Sequence, residues 1–212
     1  QVQETTVHPN GVNQAGGNAP GLLTQIMWIG SLVAAMLLFL TAQRSVAAGS
    51  RQWAAALAQA VAGTVLMAGI SAFVVWMASS WYGMELADAG ALWLFLWLIG
   101  AAFYAVQSSL LNWIGLPAMA ILVLLMFFSM PLLNMAPEFL PQATHDWLYT
   151  WTPLRIAASG LRNVMYFDGA QPLAPNAAVL WTIAGVFLAL LLASGLRRAS
   201  AQAGGGVSRP AR

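Results

Sequence analysis

The sequence contains no cysteine, no lysine and very few charged residues of any kind. Without cysteine the chain can form no disulfide and offers no thiolate for a metal site or a nucleophile. Charged residues make up 7% of the chain, whereas a typical soluble domain carries about 25%. Hydrophobic residues make up 60% of its 212 residues, more than a soluble globule of this length can hide from water. The composition therefore predicts a membrane protein and excludes a soluble enzyme as a first interpretation.

The basic residues are too few and too scattered for nucleic-acid binding. Eight basic and six acidic residues give a net charge of +2. Proteins that bind DNA or RNA concentrate their basic side chains in a patch or stripe. We therefore expect the lipid bilayer, and no nucleic acid, to be the partner of this chain.

Long uncharged stretches predict an all-α, polytopic membrane protein with five membrane-spanning helices. A helix needs about 20 predominantly apolar residues to cross a bilayer. Uncharged stretches cover residues 5–43, 52–84, 89–137 and 169–196, and the third is divided near Gly115 and Pro117. Within a transmembrane domain of residues 21–196, the predicted spans are 21–42, 54–79, 90–111, 117–133 and 176–196.

The distribution of arginine predicts how these spans are oriented. Arg44 and Arg51 lie between the first two spans, and four more arginines follow the fifth. All six acidic residues fall on the other side of the predicted bilayer, together with Arg155 and Arg162. Because cytoplasmic loops are enriched in arginine, we expect a multi-pass protein of the cell (plasma or inner) membrane. We also expect residues 1–20 to form an external polar leader and residues 197–212 to form a disordered cytoplasmic tail.

Two stripes of small residues predict close helix packing, because small side chains let helix backbones approach each other in lipid. The stripes could pack within the chain or at a dimer interface. Uncharged polar residues of the spans, such as Gln59, Thr64 and Tyr104, are expected to form interhelical hydrogen bonds. The stripes comprise Ala56, Ala60, Thr64, Ala68 and Ala72 in the second span and Gly185, Ala189 and Ala193 in the fifth.

The external segment of residues 134–174 is too apolar and aromatic for a plain solvated loop. Pro137, Pro141 and Pro153 interrupt it, and proline ends or bends a helix. The pattern predicts two short helices separated by a proline turn, which enter the outer leaflet without crossing it. An interfacial loop anchored by aromatic residues is the alternative. One face of the second helix would carry Leu154, Ala157, Ala158, Leu161 and Met165.

The motif Pro137-Glu138-Phe139-Leu140-Pro141, followed by Pro153 and then Gly160-Leu161-Arg162, resembles the last external segment of ABC-2 type permeases. The start, with His8-Pro9-Asn10 and Trp28-Ile29-Gly30, resembles the phage infection protein branch of that superfamily, and the nitrosoguanidine-resistance branch is also similar. This resemblance implies paired re-entrant helices before the last span, in a six-helix core whose first helix is missing. It also implies that residues 1–20 are the end of a missing external domain. The residues that it implies for this segment are Pro137, Glu138, Leu140, Pro141, Pro153, Arg155, Gly160 and Arg162.

The resemblance also implies a function: a homo- or heterodimeric permease that moves hydrophobic, lipid-like or polymeric substrates outward with a separate ATPase. The chain has no phosphate-binding loop of its own, so ATP hydrolysis would belong to a partner. That ATPase would contact residues 43–53, where the family places a coupling element. Arg44 and Arg51 are the candidate contacts, with simple membrane anchoring as the alternative.

Two other function classes remain to be compared with transport. The chain could be a membrane anchor or receptor, or an envelope-assembly protein, that presents an external domain. An intramembrane enzyme would need a nucleophile with a base, or a metal cluster. His145 next to Asp146 does not make such a relay, because adjacent side chains do not form one. We therefore expect no enzyme activity, no catalytic residue, no metal and no cofactor.

Overall fold

The computed structural model describes residues 18–84, 86, 88–134, 153–166 and 174–205, and within these ranges the chain is helical and contains no strand. The all-α prediction is confirmed for this part of the chain. The helices are α1 (Ala19–Ala47), α2 (Gln52–Ser80), α3 (Ala89–Ile114), α4 (Ala118–Asn134), α5 (Pro153–Tyr166) and α6 (Ala174–Gly205).

Four of these helices are long and apolar enough to cross a membrane. They are α1, α2, α3 and the part Pro175–Arg197 of α6. The predicted span 117–133 corresponds to α4, which has 17 residues. At the α-helical rise α4 is about 25 Å long, slightly less than the thickness of a bilayer core. The described helices therefore support a membrane protein with four candidate spans, and the count of five is not confirmed.

The connection between α1 and α2 is shorter than predicted. Both helices continue past the apolar stretches, so the expected loop of residues 43–53 is reduced to Ala48–Arg51. The N–H of Ala48 bonds to the carbonyl oxygen of Arg44, and the turn then reverses at Gly49, whose φ is 102°. Helical hydrogen bonds satisfy backbone groups where the chain leaves the apolar layer, so a helix does not end where its hydrophobicity ends.

The helix α6 also extends beyond its predicted end. It runs to Gly205, whereas the predicted span ends at residue 196 and a disordered tail is expected from residue 197. The sequence there contains alanine, arginine and glutamine, which have high helix propensity. Residues 206–212 lie outside the described part of the chain, as do residues 1–17 of the polar leader.

The ends of α3 follow from its flanking residues. Before it, one side-chain oxygen of Asp88 accepts the N–H groups of Gly90 (2.8 Å) and Ala91 (3.0 Å), as a helix N-cap does. After it, Gly115 adopts a φ of 83°, which a residue with a side chain rarely adopts, and Pro117 follows. The structure therefore has a break between α3 and α4 at the position where the sequence predicts a division.

The helix α3 lies at the centre of the bundle and contacts α1, α2, α4, α5 and α6. Its side chains are buried on nearly all sides, and Phe103 and Tyr104 are fully buried. The ring of Phe103 meets the indole of Trp28 from α1 edge-to-face, with 4.9 Å between the ring centroids. The chain reverses after each of the first three helices, so one end of the bundle holds the connection Ala48–Arg51 and the other holds Asp88 and α5.

Candidate functional site

The helix α5 packs one face against the bundle. Leu154, Ala157, Ala158 and Leu161 are all buried, and α5 contacts α1, α3, α4 and α6. Residues with this spacing share one face of an α-helix, which confirms the predicted face for these four residues. A short helix immediately before the last long helix is therefore seated among the bundle helices.

Gly160 allows α5 to approach its neighbours closely. A Cβ atom at this position would overlap the ring of Phe95 on α3, and it would lie 3.3 Å from the Cβ of Asn176 on α6. Any side chain here must therefore displace Phe95 or move α5. The motif of the sequence includes this glycine, but only the structure supplies the physical reason for it.

The other residues of the predicted external segment are only partly described. Pro153 is buried at the start of α5, where a missing N–H costs nothing. Arg155 is half-buried, whereas Arg162 is exposed, and both take part in polar or electrostatic interactions. Pro137, Glu138, Leu140 and Pro141 lie outside the described residues, together with the first helix of the predicted pair.

The small-residue stripe of α2 changes its surroundings along the helix. Ala56 and Ala60 are buried, Thr64 and Ala68 are half-buried, and Ala72 is exposed. At the buried end the stripe meets α6, where a Cβ added to Gly195 would lie 2.8 Å from the Cβ of Ala56. Sequence reasoning missed Gly195, although a glycine within the last span was a signal for such a contact.

In the middle of the stripe, side chains of α3 reach the backbone of α2. The indole Nε1 of Trp97 donates to the carbonyl oxygen of Thr64, and that of Trp93 donates to the carbonyl oxygen of Ala68, both at 3.1 Å. These carbonyls are accessible because the side chains beside them are small. The two tryptophans therefore hold α3 to α2, which the sequence reading did not anticipate.

Several polar residues of the spans bond within their own helix rather than between helices. The hydroxyls of Thr64, Ser71 and Ser129 donate to carbonyl oxygens three or four residues earlier. The expectation of interhelical bonds is wrong for these three, because a short hydroxyl side chain reaches its own preceding turn first. The expectation is confirmed for Tyr104, which bonds to Gln59 of α2. It is also confirmed for Gln107, whose Nε2 donates to the carbonyl oxygen of Trp28 at 3.2 Å.

The predicted stripe of α6 does not pack within the described chain. Gly185, Ala189 and Ala193 are all exposed, and a Cβ added to Gly185 would meet no atom within 4 Å. The alternative in which these residues line a dimer interface stays a prediction.

A polar cavity of about 380 Å³ opens at the end of the bundle where α1 ends and α2 begins. The volume falls in the range of small-molecule sites, roughly 300–1,000 Å³. Its wall is formed by α1, α2, α3 and α6, and it carries five uncharged polar side chains. These are Gln43, Gln52, Gln59, Asn112 and Ser194.

A buried hydrogen-bond network fixes one side of this cavity. The Tyr104 hydroxyl donates to the carbonyl oxygen of Gln59 at 2.7 Å. Asn112 uses its Nδ2 to donate to the carbonyl oxygen of Ser108 at 2.8 Å and to the Oε1 of Gln59 at 3.1 Å. The Tyr104 ring lies against Gly63, where a Cβ atom would overlap it. Gln59 is therefore held in place through both its backbone and its side chain.

The described arginines at this end of the bundle do not line the polar cavity. Arg44 and Arg51, the candidate ATPase contacts, are exposed at the last turn of α1 and the first residue before α2. Arg197 lies over the ring of Trp113 at 4.7 Å, and the Nε1 of Trp113 donates to the carbonyl oxygen of Leu190 at 2.9 Å. The structure therefore brings basic side chains and a polar cavity to the same end of the bundle.

The described residues contain no group of three or more histidine, aspartate or glutamate side chains that could hold a metal ion. Both histidines, His8 and His145, lie outside them. The described residues therefore belong to a helical membrane protein. It has a polar cavity at one end of the bundle, and the amphipathic helix α5 packs against the bundle at the other end. No family model, curated protein or solved structure matches the chain.

Proposed function

We propose that this chain is the membrane-spanning subunit of an ABC-2-like exporter, which moves hydrophobic, lipid-like or polymeric substrates outward with a separate ATPase. The observation that carries the proposal is α5, a short amphipathic helix packed against the bundle immediately before the last long helix. The sequence resemblance implies this arrangement for the permease family. Gly160, which belongs to the motif, is the residue that allows the close approach.

In this proposal α4 crosses the bilayer as the fifth span, and the end that carries Arg44, Arg51 and Arg197 faces the cytoplasm. The positive-inside rule supports this orientation. The helix α5 then lies at the outer leaflet. The two exposed arginines of the Ala48–Arg51 end, Arg44 and Arg51, contact the ATPase, and the exposed small residues of α6 line a dimer interface.

The test begins with purification of the full-length protein from its own membranes in a mild detergent, followed by mass spectrometry. We expect a stoichiometric ATPase with a phosphate-binding loop. The double variant R44A/R51A should lose that ATPase, whereas R162A, at the other end of the bundle, should retain it. A reproducible preparation without an ATPase, in a detergent that keeps known transporter complexes intact, contradicts the exporter proposal.

A second candidate function is a membrane anchor or receptor that presents an external domain. The observation that favours it is the connection Ala48–Arg51, which has room for no separate helix between α1 and α2. An ATPase would have only helix ends and a short turn to contact there. If the purification yields no ATPase, this candidate gains support, and deletion of the external domain should abolish function while the helices still insert.

A further inference from the structure

The polar cavity contains two buried amide atoms without partners. Gln59 is 3% exposed, and its Nε2 has no hydrogen-bond partner, although its Oε1 accepts from Asn112. The Oε1 of Gln52 is also buried without a partner. Because unpaired buried polar groups are costly, such atoms in a native structure indicate a missing water or ligand.

The hydrogen-bond network determines which atom of Gln59 is free. If its oxygen and nitrogen were exchanged, its NH₂ group would face the NH₂ group of Asn112. Asn112 cannot turn around in response, because its Nδ2 also donates to the carbonyl oxygen of Ser108 at 2.8 Å. Gln59 therefore offers a donor, while Gln52 offers an acceptor.

A second cavity adjoins the first and is mainly apolar. It has a volume of about 300 Å³, lies between α1 and α2, and includes Leu38 and Ala62 in its wall. Ala42, Ala55 and Gln59 line both cavities. Gln59 lies seven residues inside α2, about 10 Å along the helix from Gln52 at the α-helical rise. A polar volume near a helix end thus adjoins an apolar cleft between two helices that are long enough to span a membrane.

We propose that the two cavities together bind one neutral lipid with a glycerol-type headgroup. The free hydroxyl of the headgroup lies at Gln52, an ester carbonyl lies deeper at Gln59, and an acyl chain occupies the cleft between α1 and α2. The hydroxyl can donate a hydrogen bond to the Oε1 of Gln52, and the ester carbonyl can accept one from the Nε2 of Gln59, so the two lipid groups together span the distance between the two amides. This lipid site requires only that the helices lie in a bilayer. The proposal therefore does not depend on whether the chain exports a substrate.

The uncharged lining of the cavity favours a neutral headgroup over a phosphate. Its wall carries no charged side chain among the described residues, and a buried phosphate without a cation would be costly. Arg197 stacks on Trp113 and lines a smaller cavity of about 40 Å³, which shares Asn112 and Ser194 with the polar cavity. An anionic lipid should therefore bind this site less well than a neutral lipid with the same chains.

The test uses the full-length protein in phosphatidylcholine nanodiscs and a diacylglycerol that carries a photoreactive diazirine on one acyl chain. We expect saturable labelling of peptides from the facing parts of α1 and α2, and competition by unlabelled diacylglycerol. Acetylation of the free hydroxyl removes the donor and should weaken competition about tenfold, the effect of one good hydrogen bond. Phosphatidic acid with the same chains should compete no better than the acetylated lipid.

Variants separate the polar site from general effects on the fold. We expect Q59M and Q52M to weaken labelling about tenfold, and A55L to abolish it by filling the volume that both cavities share. Q25M is the matched control, because Gln25 is half-buried near the other end of α1. If Q59M does not purify as a monodisperse protein, Q52M and A55L decide the question, since neither removes the contact between Asn112 and Gln59.

Three results would overturn the proposal. The first is labelling that is unchanged in Q52M and A55L, as expected if the cavity holds only water. The second is competition by phosphatidic acid as strong as that by diacylglycerol. The third is full competition by free glycerol, which would indicate a soluble polyol instead of a lipid.

Discussion

Single glycines allow close packing between helices of this bundle, and Gly63 and Gly160 each have a specific partner. Gly63 lies under the Tyr104 ring, and Gly160 lies under Phe95. Between helices in lipid there is no hydrophobic driving force, so such packing carries much of the stability. By contrast, a Cβ at Gly69 would meet no atom within 4 Å. Glycines with similar positions in a helix therefore have different roles.

Gly63 and Gly69 form a matched pair for a test of this difference. In G63A the new methyl group overlaps Tyr104, so the ring must move and its hydrogen bond to Gln59 is weakened. We expect a loss of about 1–3 kcal/mol in the free energy of unfolding. G69A should be neutral or more stable by up to about 1 kcal/mol, because alanine favours helix. Denaturation of the purified protein in detergent measures both, and equal stabilities would contradict the packing argument.

The indole groups of α3 provide a second prediction for single residues. W93F and W97F each remove a donor to a carbonyl oxygen of α2, and we expect each to lower the free energy of unfolding by about 0.5–1.5 kcal/mol. W76F is the control, because Trp76 is exposed on α2. The same denaturation experiment applies, and losses no greater than that of W76F would show that the two hydrogen bonds contribute little.

At the scale of elements, the position of α5 depends on its buried face and on the close packing of Gly160 against Phe95 of α3. Because the chain has no native cysteine, single cysteines can report this position without removal of other residues. In membranes, A158C should react slowly with a water-soluble maleimide because Ala158 is buried, whereas R162C should react rapidly because Arg162 is exposed.

A second variant tests whether α5 is held in place by the contact between Gly160 and Phe95. In the double variant G160L/A158C the leucine cannot fit against Phe95, so α5 moves away from the bundle. We expect the labelling rate at A158C to rise at least several-fold towards that of R162C, while G69L/A158C keeps the slow rate. An unchanged rate in G160L/A158C would mean that α5 is not seated through this contact.

At the scale of the whole molecule, the same cysteine-free background tests the proposed orientation. With a membrane-impermeant maleimide on intact cells, R162C should be labelled, and R51C should be labelled only after permeabilisation. The reason is that arginine-rich ends remain on the cytoplasmic side during insertion. The opposite pattern would reverse the orientation, and labelling of both cysteines on intact cells would exclude the proposed arrangement of spans.

The proposed function has its own test at this scale. If α5 belongs to the export machinery, R162L should reduce export by several-fold while the ATPase still copurifies and all helices insert. Arg162 is exposed, so the substitution should not disturb packing. Normal export by R162L would show that Arg162 has no role in export.

The sequence alone established the class of the protein and the approximate positions of its long helices. The bilayer admits only helices or closed barrels, so long apolar stretches between a few charges determine most of the architecture. The break at Gly115 and the buried face of α5 also follow from local rules, namely the conformational freedom of glycine and the period of the helix. Helix ends were predicted less well, since the ends of α1, α2 and α6 extend beyond the apolar layer that the prediction follows.

Only the tertiary structure could decide which residues meet. Gln59 and Asn112 are 53 positions apart, and Phe95 and Gly160 are on helices that are not neighbours in the sequence. A stripe of small residues looks the same whether it faces another helix or lipid, and the structure separates the buried Ala56 from the exposed Gly185. The reason is physical: composition follows from the solvent around each residue, whereas a contact depends on how the helices are arranged and rotated in three dimensions.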